Sequence, residues 1–318
     1  MAFTGKTNPI KQLARASLLT LAVILSGTVD VNASPTLGAH ALSFYPVGGS
    51  GGLSTPAITT QTSGSTLLAW VGRGKTNMFT SATFPVDNKG NSFIQLDTFH
   101  DYGPLWPESG EALYSSLSVA GGATHTFTAP MPGDVDEITL AVVEVKNGGV
   151  IQDVKWNVVF ATPHTSLNVT TTGPATLVAI WAGDSGAASV TAVPNNGFTV
   201  IDSELLSYQE VEVVVATKAV AAAGTYNVTW TDTPAQGTHL WLVAVQSLPP
   251  VLQAHVAATN VVISWPLLGT GYTLETTSQL STNTVWAPVT NVPTLFDAQN
   301  TITNALSPGS RFYRLKKP

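Results

Sequence analysis

The chain of 318 residues contains no cysteine, which excludes disulfides, thiolate catalysis, zinc–thiolate sites and a lipidated cysteine anchor. Charge is nearly as scarce. Asp, Glu, Lys and Arg make up 10% of the residues, against about 25% in an ordinary soluble domain. The surface must therefore be covered by neutral hydroxyl and amide groups, chiefly Thr, Ser, Asn and Gln. Net charge is −6, with no basic cluster beyond Lys316-Lys317. That argues against nucleic acid as a partner, because phosphate binding needs clustered Lys and Arg. Helical periodicity is missing after residue 34. After Leu25 no apolar run is long enough to cross a bilayer, which takes about 20 residues, so no membrane span is expected in the mature chain. Stability must come from core burial alone, which units of about 70–100 residues can supply.

What is present begins with a targeting signature. Lys6, Lys11 and Arg15 form a positive flank, Ala16 to Leu25 is a short apolar run, and Val31-Asn32-Ala33 places small residues where a signal peptidase reads them. The pattern predicts a signal peptide over 1–33, cleavage at or near Ala33, and an exported, extracellular protein.

The mature chain then repeats itself. Ser65-Thr66-Leu67-Leu68-Ala69-Trp70-Val71 returns as Ala175-Thr176-Leu177-Val178-Ala179-Ile180-Trp181. Asn91-Ser92-Phe93 returns as Asn196-Gly197-Phe198, and the stretch Val119 to Thr128 returns as Val220 to Thr229. The lag between copies shrinks along the chain, as it does when loops shorten around a kept framework. Residues common to both copies are therefore scaffold, and residues confined to one copy are the candidates for a site.

Apolar runs rich in Val, Leu, Ile and Thr alternate with Gly, Pro, Asn and Asp, the pattern of short strands joined by turns. Thr124 to Thr128 alternates like a strand with one buried face. Thr139 to Val145 and Leu240 to Val245 are continuously apolar and predict strands buried on both faces. Asp87-Asn88-Lys89-Gly90-Asn91 and Pro194-Asn195-Asn196-Gly197 are expected to form hairpin turns. The fold class is all-β: tandem β-sandwiches at 34–150 and 151–248, a stiff Leu248-Pro249-Pro250-Val251 linker, and a smaller unmatched sandwich at 251–318. Trp265, Tyr272, Trp286 and Phe312 are its expected core aromatics.

The third unit, by its Ser264-Trp265-Pro266, Gly271-Tyr272-Thr273-Leu274, Trp286 and closing Phe312-Tyr313-Arg314-Leu315, resembles a C-terminal fibronectin- or immunoglobulin-like module of secreted environmental bacteria. The duplicated unit is similar to another bacterial extracellular module, on its Asp-Asn-x-Gly-Asn turn at 87–91, its stretch at 120–128 and a strand ending near Glu144. Copy two departs from that pattern, with Gln246 read against Glu144. The resemblance implies architecture and no activity.

Candidate chemistry is sparse. Gly48-Gly49-Ser50-Gly51-Gly52 has the spacing of a serine nucleophile elbow, but no helix follows it, and a flexible glycine loop is the expectation. The six histidines are scattered without metal-ligand spacing, and His125 and His239 are expected on sheet surfaces. Asp134, Asp136 and Glu137, or Asp87, Asn88 and Asn91, carry oxygens suited to calcium without filling a calcium loop. No metal or cofactor is therefore assigned.

One segment stands out. His100, Asp101, Tyr102, Trp106, Glu108 and Glu111 gather aromatics, carboxylates and an imidazole in what reads as a loop, and copy two has no counterpart. Aromatic faces flanked by hydrogen-bonding groups suit sugar rings. This predicts a non-enzymatic binding, adhesion or structural protein, with a polysaccharide or cell-surface component as partner, and Tyr102 and Trp106 at the surface. Two alternatives stand beside it: Trp106 folded back as a cap on the sandwich, and a polysaccharide-active enzyme using carboxylates of the same segment.

Overall fold

A computed structural model describes residues 34–45, 49–74, 79–103, 106–135, 137–183, 189–205, 211–248, 250–266, 272–296, 299–306 and 308–316. The expected signal peptide and its cleavage point lie outside the described residues, as do Gly48, Asp136, Pro249, Gly271, Lys317 and the side chains of Trp106, Glu108 and Asp134.

The chain is all-β, with no α-helix among the described residues. In copy one the strands are β1 (Thr36–Tyr45), β2 (Gly49–Ser54), β3 (Ser63–Arg73), β4 (Val86–Asp87), β5 (Ile94–Tyr102), β6 (Trp106–Ala120), β7 (Phe127–Val135) and β8 (Ile138–Lys146). They form a five-stranded sheet, β1-β8-β3-β6-β5, and a three-stranded one, β2-β7-β4. First pairs with last, second with seventh and third with sixth, the nested pairing of a jelly-roll sandwich.

Copy two comprises β9 (Val150–Val159), β10 (His164–Thr165), β11 (Val169–Thr171), β12 (Ala175–Gly183), β13 (Thr191–Pro194), β14 (Thr199–Glu204), β15 (Glu212–Val220), β16 (Gly224–Tyr226), β17 (Thr229–Thr233) and β18 (Thr238–Gln246). Its sheets run β9-β18-β12-β15-β14 and β10-β17-β13, with β11-β16 as an extra pair. This is the strand order of copy one. Leu67, Phe93 and Phe127 share one core, and Leu177, Phe198 and Val228 share the corresponding one.

Several expectations are corrected by strand register. Gly49 to Gly52 is not a glycine loop but part of β2, paired to β7. The turns at 87–91 and 194–197 are not hairpins. Each carries the chain between sheets, since β4 pairs with β7 and β5 with β6, and likewise for β13 and β14. Leu67 pairs with Glu144 and Leu177 with Ala244, so Ala244, not Gln246, is the counterpart of Glu144. The buried Glu144 carboxylate accepts from the Ala39 and Gln61 amides and the Ser65 hydroxyl at 2.9, 2.7 and 2.6 Å, tying β1 to the segment entering β3.

The third unit contains β19 (Gln253–Ala257), β20 (Asn260–Pro266), β21 (Thr273–Thr277), β22 (Ala287–Pro288), β23 (Thr294–Phe296), β24 (Gln299–Ala305) and β25 (Phe312–Lys316). Its sheets, β19-β20-β24-β23 and β22-β21-β25, follow the strand order of an immunoglobulin-type sandwich. Ile263, Trp265, Leu274 and Ile302 are its buried centre, with Tyr313 and Leu315 packed on them. Strand alternation turns Phe312 to the other face, so Tyr313 takes the core place expected of Phe312. Trp286 is half-buried with the Arg314 guanidinium 4.4 Å above its ring.

The two large sheets pack on each other. One core contains Leu68, Trp70, Tyr102, Leu113, Ala141, Val143 and Val145 of copy one with Val178, Ile180, Ala182, Val211, Val213, Val215, Trp241, Val243 and Val245 of copy two. β8 as far as Val145 and the whole of β18 are buried for this reason: one face fills its own sandwich and the other meets the opposite copy. At one margin His40 of β1 meets Asp202 of β14 at 2.7 Å. At the other, His100 of β5 stacks on Trp156 of β9. Exchanging the copies maps one margin onto the other, so the packing is approximately two-fold.

Candidate functional site between the duplicated sheets

Within this shared core lies a polar cluster built by both copies. Strand alternation turns Glu111 and Leu113 of β6 to the same face, toward copy two, leaving Glu111 with no exposed surface. Its Oε2 accepts the Trp70 indole N–H at 2.6 Å. Its Oε1 accepts the indoles of Trp241 at 2.6 Å and Trp156 at 3.1 Å. His239 Nδ1 lies 3.1 Å from the same oxygen and donates to it in the Nδ1–H tautomer. Four donors thus surround one carboxylate, without a Lys or Arg among them.

Rings complete the cluster. His100 stacks on Trp156 with centroids 3.5 Å apart and planes within 5°. Tyr102 lies 4.4 Å from the His239 ring. Asp97, at φ 63° in a bulge of β5, sits 3.4 Å from His100 Nε2.

Copy comparison shows the fold does not require this arrangement. Trp70 pairs with Leu113 and Ala141, as Ile180 pairs with Val215 and Trp241. Following that register, Val213 stands for Glu111, Thr139 for His239, Ala141 for Trp241 and Leu42 for Trp156. The other half of the two-fold interface is therefore largely apolar where this half is polar.

Of the segment singled out in sequence, His100, Tyr102 and Glu111 come together here, and the segment itself is the β5–β6 hairpin rather than a loop. Tyr102 was expected at the surface but is 6% exposed, because copy two's sheet covers it. Asp101 is exposed, on the opposite side of the strand. Trp106 and Glu108 lie in β6, with side chains outside the described residues. Sequence reasoning missed Trp70, Trp156, His239 and Trp241, whose signal was Trp and His standing in one copy against Leu, Ile, Ala or Thr in the other. It also missed Phe160, 60% exposed just past β9, whose ring lies on Gly237: a Cβ there would come within 2.8 Å of the ring.

His125 and His239, expected on sheet surfaces, are both buried. His125 bridges Thr60 Oγ1 at 2.8 Å and Asp87 Oδ2 at 3.0 Å. Burial alone would raise the Asp87 pKa, but hydrogen bonds from Asn91 and His125 outweigh it and hold the carboxyl below its ordinary value. The 87–91 turn thus spends its oxygens internally: Asp87 accepts the Lys89 and Asn91 amides, each at 3.0 Å.

Burial lowers the pKa of His100 below the ordinary histidine value, against the opposing pull of Glu111 and Asp97. Burial lowers that of His164 likewise, against Asp232. A histidine with a depressed folded pKa takes up its proton more readily when unfolded. Its contribution is present above about pH 6.5 and is lost as pH falls below that value. The urea midpoint is therefore expected to drop between about pH 7 and pH 5, a window in which Asp87 stays ionised and contributes no slope. His100→Asn should flatten part of that slope; an identical slope in wild type and variant would show that His100 does not contribute.

The fold and cluster together define a protein of two duplicated jelly-roll sandwiches fused face to face through a buried carboxylate, followed by an immunoglobulin-type module. Comparison with protein-family models, characterised proteins and solved structures returns no match.

Proposed function

We propose that the chain is an exported, non-enzymatic binding or structural protein of the cell exterior, whose fused sandwiches form a rigid body presenting the β5–β6 hairpin tip to polysaccharide. The observation that carries this reading is Glu111. Both its oxygens are filled by four donors at zero exposure, so it braces the two copies and is not free to protonate a glycosidic oxygen. The rival reading, hydrolysis by carboxylates of this segment, loses one of its pair.

Asp101 and Phe160 stand exposed beside the tip. Val158 pairs with His239, whose ring meets Tyr102, and Phe160 lies two residues further in the direction of the tip. An aromatic ring backed by glycine on one face and solvent on the other suits the C–H face of a sugar, with exposed Asp101 available for hydroxyls. Export is supported by the cationic, apolar N-terminal segment, and a hydroxyl-rich, weakly charged surface fits an extracellular setting.

The test is affinity electrophoresis of the exported chain through a panel of polysaccharides, with a parallel assay for reducing ends. The expected outcome is retardation by at least one polymer without release of reducing ends. The triple variant Asp101→Ala, Trp106→Ala, Phe160→Ala should weaken retardation about ten-fold, roughly 1.4 kcal/mol, with an unchanged melting temperature. Release of reducing ends would identify a hydrolase instead.

A further inference from the structure

The third unit has an opening of its own. β21 and β25 pair as far as Thr277 and Phe312, and beyond that point the chains part. Ser278 and Gln279 lead away on one side, Ser310 and Arg311 on the other, and Val285 closes a third. The cleft between them has a volume of about 610 Å³, within the usual range for small-ligand sites, about 300–1,000 Å³.

Its lining is chemically selective. Hydroxyls, an amide and one guanidinium face it, and none of the lining residues is acidic. Glu275, next in the chain to the lining residue Thr276, is already held by Arg314 at 2.7 and 2.8 Å, with Lys316 at 3.6 Å. Arg311 has no such partner among the described residues, although the chain as a whole is acidic at −6. Val285, 84% exposed, adds an apolar patch beside it.

We propose that this cleft binds a carboxylate-bearing sugar residue, such as a uronic acid within a polyuronate. Arg311 takes the carboxylate through its planar fork of N–H donors. Ser278, Gln279 and Ser310 meet ring hydroxyls, and Val285 packs on C–H groups. A neutral sugar leaves the guanidinium unmatched, so the site discriminates for charge. It is separate from the β5–β6 hairpin and does not depend on that hairpin binding anything.

The test uses the exported chain in gels containing polygalacturonate or neutral dextran, and calorimetry with trigalacturonate. Polygalacturonate is expected to retard the protein, dextran not, and added salt to weaken the effect. Arg311→Gln should reduce affinity about ten-fold or more, while Arg311→Lys, which keeps the charge and loses the fork, falls between. Both should melt with wild type, since Arg311 is exposed and makes no hydrogen bond or ion pair among the described residues. The hairpin triple variant should bind polygalacturonate unchanged, which separates this site from the hairpin. Equal affinity of wild type and Arg311→Gln for trigalacturonate, or retardation of the hairpin triple variant by dextran equal to that by polygalacturonate, overturns the proposal. So does preference for an acidic peptide over trigalacturonate.

Discussion

Replacing Glu111 by alanine is expected to cost about 3–5 kcal/mol of folding stability, the range seen when one partner of a buried charged network is removed. Two effects oppose each other. Deleting the carboxylate relieves the penalty of burying an anion, which on its own would stabilise. But it strands the indole N–H groups of Trp70, Trp156 and Trp241 and the His239 ring. Each buried unsatisfied donor costs about 1–3 kcal/mol, and a cavity adds to the sum. The stranded donors win because there are several of them, in a core where β9 and β18 hold the rings in place. Glu111→Gln keeps the volume and half of the acceptor capacity, so it should cost less than alanine. Urea unfolding followed by tryptophan emission measures both, and three of the eight tryptophans ring the altered group. A loss under about 1 kcal/mol for alanine would falsify the bracing role assigned to Glu111.

Much of this architecture was legible in the residues. Duplication, strand runs and turn chemistry suffice for two matching sandwiches and a third of another kind, because Phe93 and Phe198, or Leu67 and Leu177, keep their core places through the divergence of the loops. The segment holding His100, Tyr102 and Glu111 was also marked correctly as peculiar to copy one. Its setting was not legible. A sandwich strand has one face in the core and one in water, so the unbroken apolar runs of β8 and β18 demanded a second covering layer, and single-sequence periodicity says only that such a layer exists. Which surface supplies it depends on two sheets meeting far apart in sequence, His239 against Glu111 or Trp156 against His100. Glu111 between Gly110 and Ala112 looks like a surface carboxylate until the donors from β9 and β18 are in place. The same blindness put Tyr102 in solvent. Aromatic and acidic residues together fit a sugar site or a buried polar network equally well, and only tertiary packing separates them.

The shared core also decides how damage spreads. Phe198→Ala, in the inner core of copy two at 7% exposure, should cost about 3–5 kcal/mol for the cavity left behind. Were the copies independent, that loss would stay in copy two and leave the amide protection of β3 and β8 as it was. They are not independent: β12, β15 and β18 contribute to the core that also buries Leu68, Trp70, Val143 and Val145. If copy two unfolds, it uncovers that face of copy one and removes Trp156, His239 and Trp241 from Glu111, leaving an apolar sheet in water with a carboxylate at its centre. An exposed apolar sheet face of that kind is not tolerated by a soluble unit. Phe198→Ala is therefore expected to lower the opening free energy of β3 and β8 by nearly the same amount as that of β12 and β18, in one cooperative transition. Hydrogen exchange at residues of both copies, read against the urea midpoint, distinguishes the cases. Undiminished protection in β3 and β8 while β12 and β18 exchange faster would make the sheet-to-sheet contact a weak docking rather than a common core.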